Sequence, residues 1–503
     1  MALLNHLMRL VFRGRMQRIR RFSANPHEAQ AALLKKFLEK NKATEIGKRN
    51  DFQSIRTPQT FANRVPIVDY EGLKTDINRM MHGERDVLWS GAVNWFAKSS
   101  GTSNDRSKFI PVTLENLRNC HLRGAWDTTT LIYDQMPNAR FFDGKMLIMG
   151  GSYETFPQFP QTRVGDVSAI MISNLPPVGN YIYTPSPKIA LQSNTESKIE
   201  AMAQQLIHED LRMLGGVPTW TVVLLRRILE ITKKKNILDV FPNLKGYIHG
   251  GVSFAPYRTQ FQELIPDENF LYWEIYNASE GYFAAQNELN ARDMMLLLDN
   301  GIYFEFLPER EWRSPRPQAV PLEGVRVGEN YALVITTNAG LWRYTPGDTV
   351  YFTSTNPYKI QVSGRTNQFV NAFGEELMVS NTDSALAAAC QTTGALVTDY
   401  TVAPIYFATN QKGGHEWLVE FEKEPENIEQ FNNILDHNLQ RVNSDYEAKR
   451  FKSMAMERLR LRALPRGTFN NWLRMKGKFG GQSKVPRLAN DRRYVDEILK
   501  LLD

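Results

Sequence analysis

Thiol is nearly absent from this chain: among 503 residues only Cys120 and Cys390 are cysteines. Two thiols far apart in sequence exclude a disulfide framework and a cysteine-ligated metal centre, and fit a reducing compartment. Long apolar runs are also missing. None approaches the roughly 20 residues that a helix needs to cross a bilayer. The first residues, MALLNHLMRLVFRGRMQRIRR, do not make a signal peptide either. Asn5, His6 and Arg9 interrupt the apolar part, the charges follow it, and no small-residue cleavage site is present. The expectation is a soluble, cytoplasmic protein. Internal repeats, low-complexity tracts and the GxxxxGK[ST] phosphate loop are absent as well.

Acid is scarce at the two ends. No Asp or Glu precedes Glu28, while residues 9–21 hold six arginines. Residues 449–493 hold 14 Lys and Arg against Glu457 and Asp491, so a total net charge of +7 leaves a mildly acidic body between two basic ends. Such runs read first as solvated faces, and peripheral membrane contact by the basic arm is the second reading. Nucleic acid is not expected as a partner, since neither run interleaves aromatics or carries a reading motif.

The length exceeds what one simple core fills, so at least two domains are expected. Apolar spacing predicts a basic N-terminal arm or helix over 1–26, a helix over 27–49, and another beginning near Thr57–Pro58. Strands are expected at 93–97, 108–112, 145–149, 246–249, 271–276, 302–307 and 331–336. Helices are expected at 113–131, 195–213, 219–234, 257–264 and 291–299. This alternation argues for an α/β body with mixed sheets. From about 341 the chain turns to short β segments, then a helix, two strands and a helix at 426–443. The expected division is therefore 27–365 for a large domain and 366–503 for a small α+β one.

Four segments carry polar groups where chemistry needs them, and each has an ordinary counterpart. Ser99, Ser100, Gly101, Thr102 and Ser103, with Lys108 beyond, offer hydroxyls, a permissive backbone and a cation to phosphate, or form a plain surface turn. YWEIYNASEGYF places Glu280 at a strand end, where α/β sheets bind ligands, or leaves it a solvated turn acid. GLWRYTPGD sets Asp348 after a Pro-Gly turn, where a rigid carboxylate can accept from a ribose diol, or is an ordinary turn aspartate. GKFGGQSKVPR presents Lys484 from a glycine-rich loop suited to neutralising phosphate charge, or to mere flexibility.

Together these segments resemble the Gretchen Hagen 3 family, the auxin-inducible acyl-acid amido synthetases of the firefly-luciferase-like adenylate-forming superfamily. SSGTS…KFIP, YNASEG, GLWRYTPGD, SGRTN and GQSKVPR occur in the family's order, and the likeness runs over roughly residues 30–490. The resemblance implies a large α/β N-terminal domain with a small mobile α+β C-terminal one, with ATP and Mg²⁺ as cofactors. It implies that Ser99, Ser100, Gly101, Thr102 and Ser103 bind phosphate, with Lys108 nearby, and that Gly250, Gly251 and Val252 line the adenine side. Tyr276, followed by Asn277, Ala278 and Ser279, would stack near adenine. Glu280 would be the Mg²⁺-associated catalytic carboxylate and Asp348 the ribose grip. Arg365 would mark the pivot and Lys484 the catalytic lysine.

Two departures stand out. GRTNQFVNAFGEEL is closer to the general superfamily hinge than to the plant enzymes, and Arg123 lies one helical turn from the arginine that holds the carboxylate in benzoate-type members. Arg123, Tyr133, Trp220 and Phe304 are the acyl-pocket candidates, with ordinary packing the competing reading for the aromatics. The implied reaction joins a small carboxylic acid to an amine, an amino acid being expected, through an acyl-adenylate. The alternatives are an acyl-CoA ligase and a catalytically silent scaffold.

Overall fold

The computed structural model describes residues 2–99, 108–251, 254–312, 314–366, 369–370, 375, 377–405, 413–443, 446–447, 450, 453, 456–477, 484–489 and 491–502. The chain forms two compact units. One holds Met1–Ser99, Ser107–Gly251 and Asp267–Val362, and the other is built mainly from Val252–Pro266 and Ser363–Asp503.

The basic N-terminal segment is not a free arm. It forms helix α1 (Ala2–Ala24), which buries Phe12, Ile19 and Phe22. The Phe12 ring packs against Trp126, Tyr133 and Phe142. Arginines on the same helix meet a buried carboxylate, with Arg15 3.0 Å and Arg18 2.6 Å from Asp127. The helix expected over 27–49 breaks in two, Pro26–Asn41 and Glu45–Arg49, because Thr44 turns the chain and caps the second piece, accepting from Gly47 N at 3.1 Å. Thr57 likewise caps the helix Pro58–Arg64, whose proline sits at its first turn.

Two antiparallel strands, β1 (Trp95–Ser99) and β2 (Lys108–Val112), pair with Ser99 opposite Lys108. They belong to a four-stranded sheet. After β2 the chain is helical from Leu114, passes through a π turn at Leu117–His121, and continues as α2 (Leu122–Gln135). Gly124 lets α2 approach the main sheet, since a Cβ there would meet the Tyr282 ring at 2.4 Å. Thr128 and Tyr282 hydroxyls bond at 2.6 Å beside it.

The main sheet has twelve strands among the described residues. Its parallel part runs from Tyr183–Thr184 through Lys145–Leu147 and Leu211–Gly216 to β3 (Gly246–Gly250) and β4 (Leu271–Ala278). Antiparallel pairing then takes over, from β4 to β5 (Gly281–Ala285) and on to Met294–Leu296. Strands β6 (Ile302–Pro308), β7 (Asn330–Thr337), β8 (Asp348–Thr355) and β9 (Tyr358–Arg365) complete it with the short Val320–Pro321 edge.

Two helix expectations fail here. The segment 291–299 is a strand at Met294–Leu296, because three consecutive apolar residues, all buried, lie between β5 and β9 and hydrogen-bond to both. A short apolar run carries no period that separates helix from strand. The helix expected over 195–213 stops at Leu206, and Leu211–Gly216 joins the parallel part of the sheet.

In the second unit β10 (Leu396–Ile405), β11 (Gly414–Lys423) and β12 (Arg460–Leu464) form a three-stranded sheet. Helices α3 (Val379–Thr393) and α4 (Ile428–Val442) share its core, which includes Tyr400, Trp417 and Phe431.

Candidate active site

The polar cluster of the first unit grows from the β4–β5 hairpin. Ala278 pairs with Gly281, so Ser279 and Glu280 form a two-residue turn. The aromatic strand before it and the all-buried strand after it hold that turn inside the protein, and Glu280 is only 6% exposed. A carboxylate that far from water needs polar company. The Tyr344 hydroxyl donates to Glu280 Oε1 at 3.5 Å, a long contact.

Four residues before Glu280, on β4, Tyr276 donates its hydroxyl to Asp348 Oδ2 at 2.7 Å. Asp348 opens β8 directly after Gly347, whose φ of +88° is the left-handed turn conformation that favours glycine. The Pro-Gly signal thus places the aspartate where the turn meets the sheet. The structure therefore makes two hydrogen-bonded pairs, Tyr276 with Asp348 and Tyr344 with Glu280, from β4, the β4–β5 turn, β8 and the segment before β8.

That segment is fixed by a residue the motif reading passed over. Arg343 is 4% exposed, has φ +45°, and forms a bidentate pair with Glu305 on β6 at 2.9 and 2.9 Å. It also donates to the carbonyls of Ala62 and Val65 at 2.6 and 2.7 Å. The strained backbone is held by four charge-assisted bonds. The next residue, Tyr344, follows from that anchor. Val68 brackets it as well, donating N–H to the Arg343 carbonyl at 3.1 Å and accepting from Thr345 N at 2.8 Å. One signal could have found Arg343 and Glu305, because each is a lone charge inside an otherwise apolar strand-like run, LWRY and YFEF.

Other candidates sit as follows. Lys108 opens β2 with its ammonium 5.9 Å from the centre of the Tyr70 ring, and the Tyr70 hydroxyl accepts from Phe109 N at 3.0 Å. Ser99 closes β1, and Ser100, Gly101, Thr102 and Ser103 lie outside the described residues, as does Val252. Gly250 ends β3, where a Cβ would meet the Ile275 carbonyl oxygen at 2.5 Å, and Gly251 follows with φ +81°. Asn277 and Ala278 are half-buried on β4. Arg365 ends β9, and Lys484 is half-buried in the second unit.

The acyl-pocket candidates lie on α2, β6 and the helix Pro218–Thr232. Phe304 is fully buried on β6 against Phe283 and Phe306. Tyr133 donates to Asn5 Oδ1 at 2.7 Å under α1. Arg123 pairs with Asp299 at 2.6 Å, and Trp220 lies in the first turn of the helix Pro218–Thr232.

Among the described residues no three His, Cys, Asp or Glu side chains gather as a metal site. The donor set suits a different arrangement. One buried carboxylate, Glu280, beside a tyrosine hydroxyl matches Mg²⁺, which takes oxygen ligands and is held largely by substrate phosphates.

The mixed α/β body is an architecture shared with solved ligases. A solved GH3.15 acyl acid amido synthetase superposes with TM-score 0.79 at 17% identity, over 96% of this chain and 95% of that one. A 2-hydroxyisobutyryl-CoA ligase in its postadenylation state superposes with TM-score 0.63 at 15% identity, over 95% and 92%.

The chain belongs to the GH3 family. It matches the GH3 family N-terminal domain over residues 15–270, the central domain over 295–365 and the C-terminal domain over 380–493. Relatives include an indole-3-acetic acid-amido synthetase of Arabidopsis thaliana, 25% identical over 96% of this chain and 92% of that protein. A 4-substituted benzoates-glutamate ligase of the same plant is 22% identical over 94% of each.

Proposed function

We propose that this protein is an ATP-dependent acyl-acid amido synthetase that joins a small carboxylic acid to an amino acid. The observation that carries the reading is the half-buried Tyr276–Asp348 pair and the buried Tyr344–Glu280 pair, found where the family's motifs fall. In the first half-reaction a carboxylate oxygen attacks the α-phosphorus of ATP, the bond to the bridging oxygen breaks, and pyrophosphate leaves. In the second, the amine attacks the acyl carbon, AMP leaves with the bonding electrons, and the amine proton is lost to solvent.

The protein's task is positioning and charge placement, not covalent catalysis. Asp348, oriented by Tyr276, accepts from the ribose hydroxyls. Glu280 would hold Mg²⁺, which would supply positive charge at the phosphates. The hydroxyl-rich segment 99–103 and Lys108 bind the phosphates, and Lys484 supplies the lysine that the family motif GQSKVPR carries. The C-terminal domain from residue 366 onward carries that lysine, with Arg365 at the junction.

The test is pyrophosphate release measured over a panel of carboxylic acids with mixed amino acids, and separately with coenzyme A. Acid-dependent release with amide and AMP as products is expected. Release completed only by coenzyme A would make the protein an acyl-CoA ligase, and failure to bind ATP in calorimetry would make it a silent scaffold. Lys484→Ala should lower acid-dependent pyrophosphate exchange by about 10²–10³, with ATP binding retained. Unchanged exchange would remove the lysine from the mechanism.

A further inference from the structure

A solvent-open cleft of about 450 Å³ lies between α1 and the helical stretch that leads into α2. Arg15, Arg18, Arg118 and Arg123 line it, with Trp126 on one wall. No residue of the cluster proposed for adenylation contributes to it. On α2, Arg123 and Asp127 stand one turn apart toward α1, whereas Gly124 and Thr128 pack on Tyr282.

Charge in the cleft is unbalanced. Asp127 receives Arg15 and Arg18 at 3.0 and 2.6 Å, and Asp299 receives Arg18 and Arg123 at 3.1 and 2.6 Å. Four guanidiniums therefore face two carboxylates. Arg123 Nε is also buried without a hydrogen-bond partner among the described residues. Burial, the largest influence on each, holds the Arg15 and Arg123 guanidiniums below their usual range. An anion entering the cleft relieves that cost, and guanidinium forks match the oxygens of a phosphate in pairs.

The surrounding surface points to where such a phosphate would come from. Leu7, Val11, Arg15 and Arg18 follow one stripe of α1 at spacings of four, four and three residues. Leu7 and Val11 are 55% and 45% exposed, and Leu10 beside them is 51% exposed. A helix that shows leucine and valine next to an arginine-lined cleft is built like an interfacial helix, with an apolar face and a place for an anionic headgroup.

We infer that this cleft is a phosphate-binding site distinct from the adenylation cluster, taking a phosphomonoester or phosphodiester group from a soluble metabolite or from a lipid headgroup.

The full-length protein is titrated with glycerol 3-phosphate in calorimetry, and is sedimented with vesicles of phosphatidylcholine doped with phosphatidylglycerol against vesicles of phosphatidylcholine alone. Arg118→Glu reverses a charge on the exposed rim, where no ion pair among the described residues depends on it, and Arg118→Lys keeps the sign. The expected result is binding to at least one anionic probe, weakened by added salt and about tenfold or more by Arg118→Glu, with most affinity kept by Arg118→Lys. Binding to the doped vesicles alone assigns the site to a bilayer, and binding to glycerol 3-phosphate assigns it to a free phosphate. No binding to either probe, or equal binding by wild type and Arg118→Glu at an unchanged melting temperature, overturns the site.

Discussion

Asp348 and Arg343 sit five residues apart and do opposite kinds of work. Asp348 is half-buried and hydrogen-bonded to Tyr276, and is the residue proposed to grip the ribose. Asp348→Ala should weaken ATP binding by roughly 10- to 100-fold, the loss of a charge-assisted hydrogen bond, while the melting temperature changes little. Unaltered ATP affinity in calorimetry would remove the ribose role. Arg343 is the converse case. Arg343→Met leaves Glu305 as a buried, uncompensated charge and should cost about 3–5 kcal/mol in denaturant unfolding. The double variant Glu305→Leu with Arg343→Met should recover most of that loss, because replacing both buried partners by apolar groups is often near neutral. If the double variant is no better than the single, the pair stabilises through its four backbone and side-chain bonds and not through charge balance.

At the scale of elements, helix α2 shows how little room the fold leaves. Gly124 lies against the Tyr282 ring, and Thr128 bonds the Tyr282 hydroxyl one turn later. Gly124→Val must push α2 away from β5 and should destabilise by about 1–3 kcal/mol, the usual cost of overpacking. A melting temperature equal to wild type would show that α2 can shift freely. Elements also separate what periodicity reveals from what it hides. The helix that starts at Pro58 was legible because the Thr57 side chain closes its own turn, whereas the break at the Thr44 cap was not. Strands with alternating or bulky apolar residues were legible for the same local reason. The Met294–Leu296 strand was not, since only its neighbours on both sides make it one. The motif residues Glu280 and Asp348 were visible as turn acids, but nothing local said that tyrosines 276 and 344 would address them.

For the whole molecule, buried titratable groups set the response to acid. His121 is fully buried, its ring nitrogens have no hydrogen-bond partner among the described residues, and burial lowers its pKa from 6.5 to about 4. The unfolded chain therefore binds the extra proton between those values, so stability from this group is full above about pH 6.5 and falls as pH drops toward 4. The slope is up to about 1.4 kcal/mol per pH unit. Asp399 works the other way, because burial raises its pKa to about 6 and the folded protein then holds the extra proton below that. Wild-type stability alone is thus a sum of opposing terms. The comparison that isolates His121 is urea unfolding of wild type and His121→Leu at pH 7 and pH 5. The variant should lose less stability on acidification, and equal losses would mean that the buried ring does not govern this window.

The sequence by itself determined the order of the motifs, the alternation of helix and strand in the body and the family to which the chain belongs. Those features are read within a turn or a strand, where spacing, caps and glycine conformations act over a few bonds. Only the tertiary structure decided which groups meet. Arg343 finds Glu305, Tyr276 finds Asp348, and the arginines of α1 find Asp127 across more than 100 residues of intervening chain. The physical reason is that a charge or hydroxyl removed from water must be satisfied by whatever the folded core places beside it, and that neighbour is set by packing, not by sequence distance.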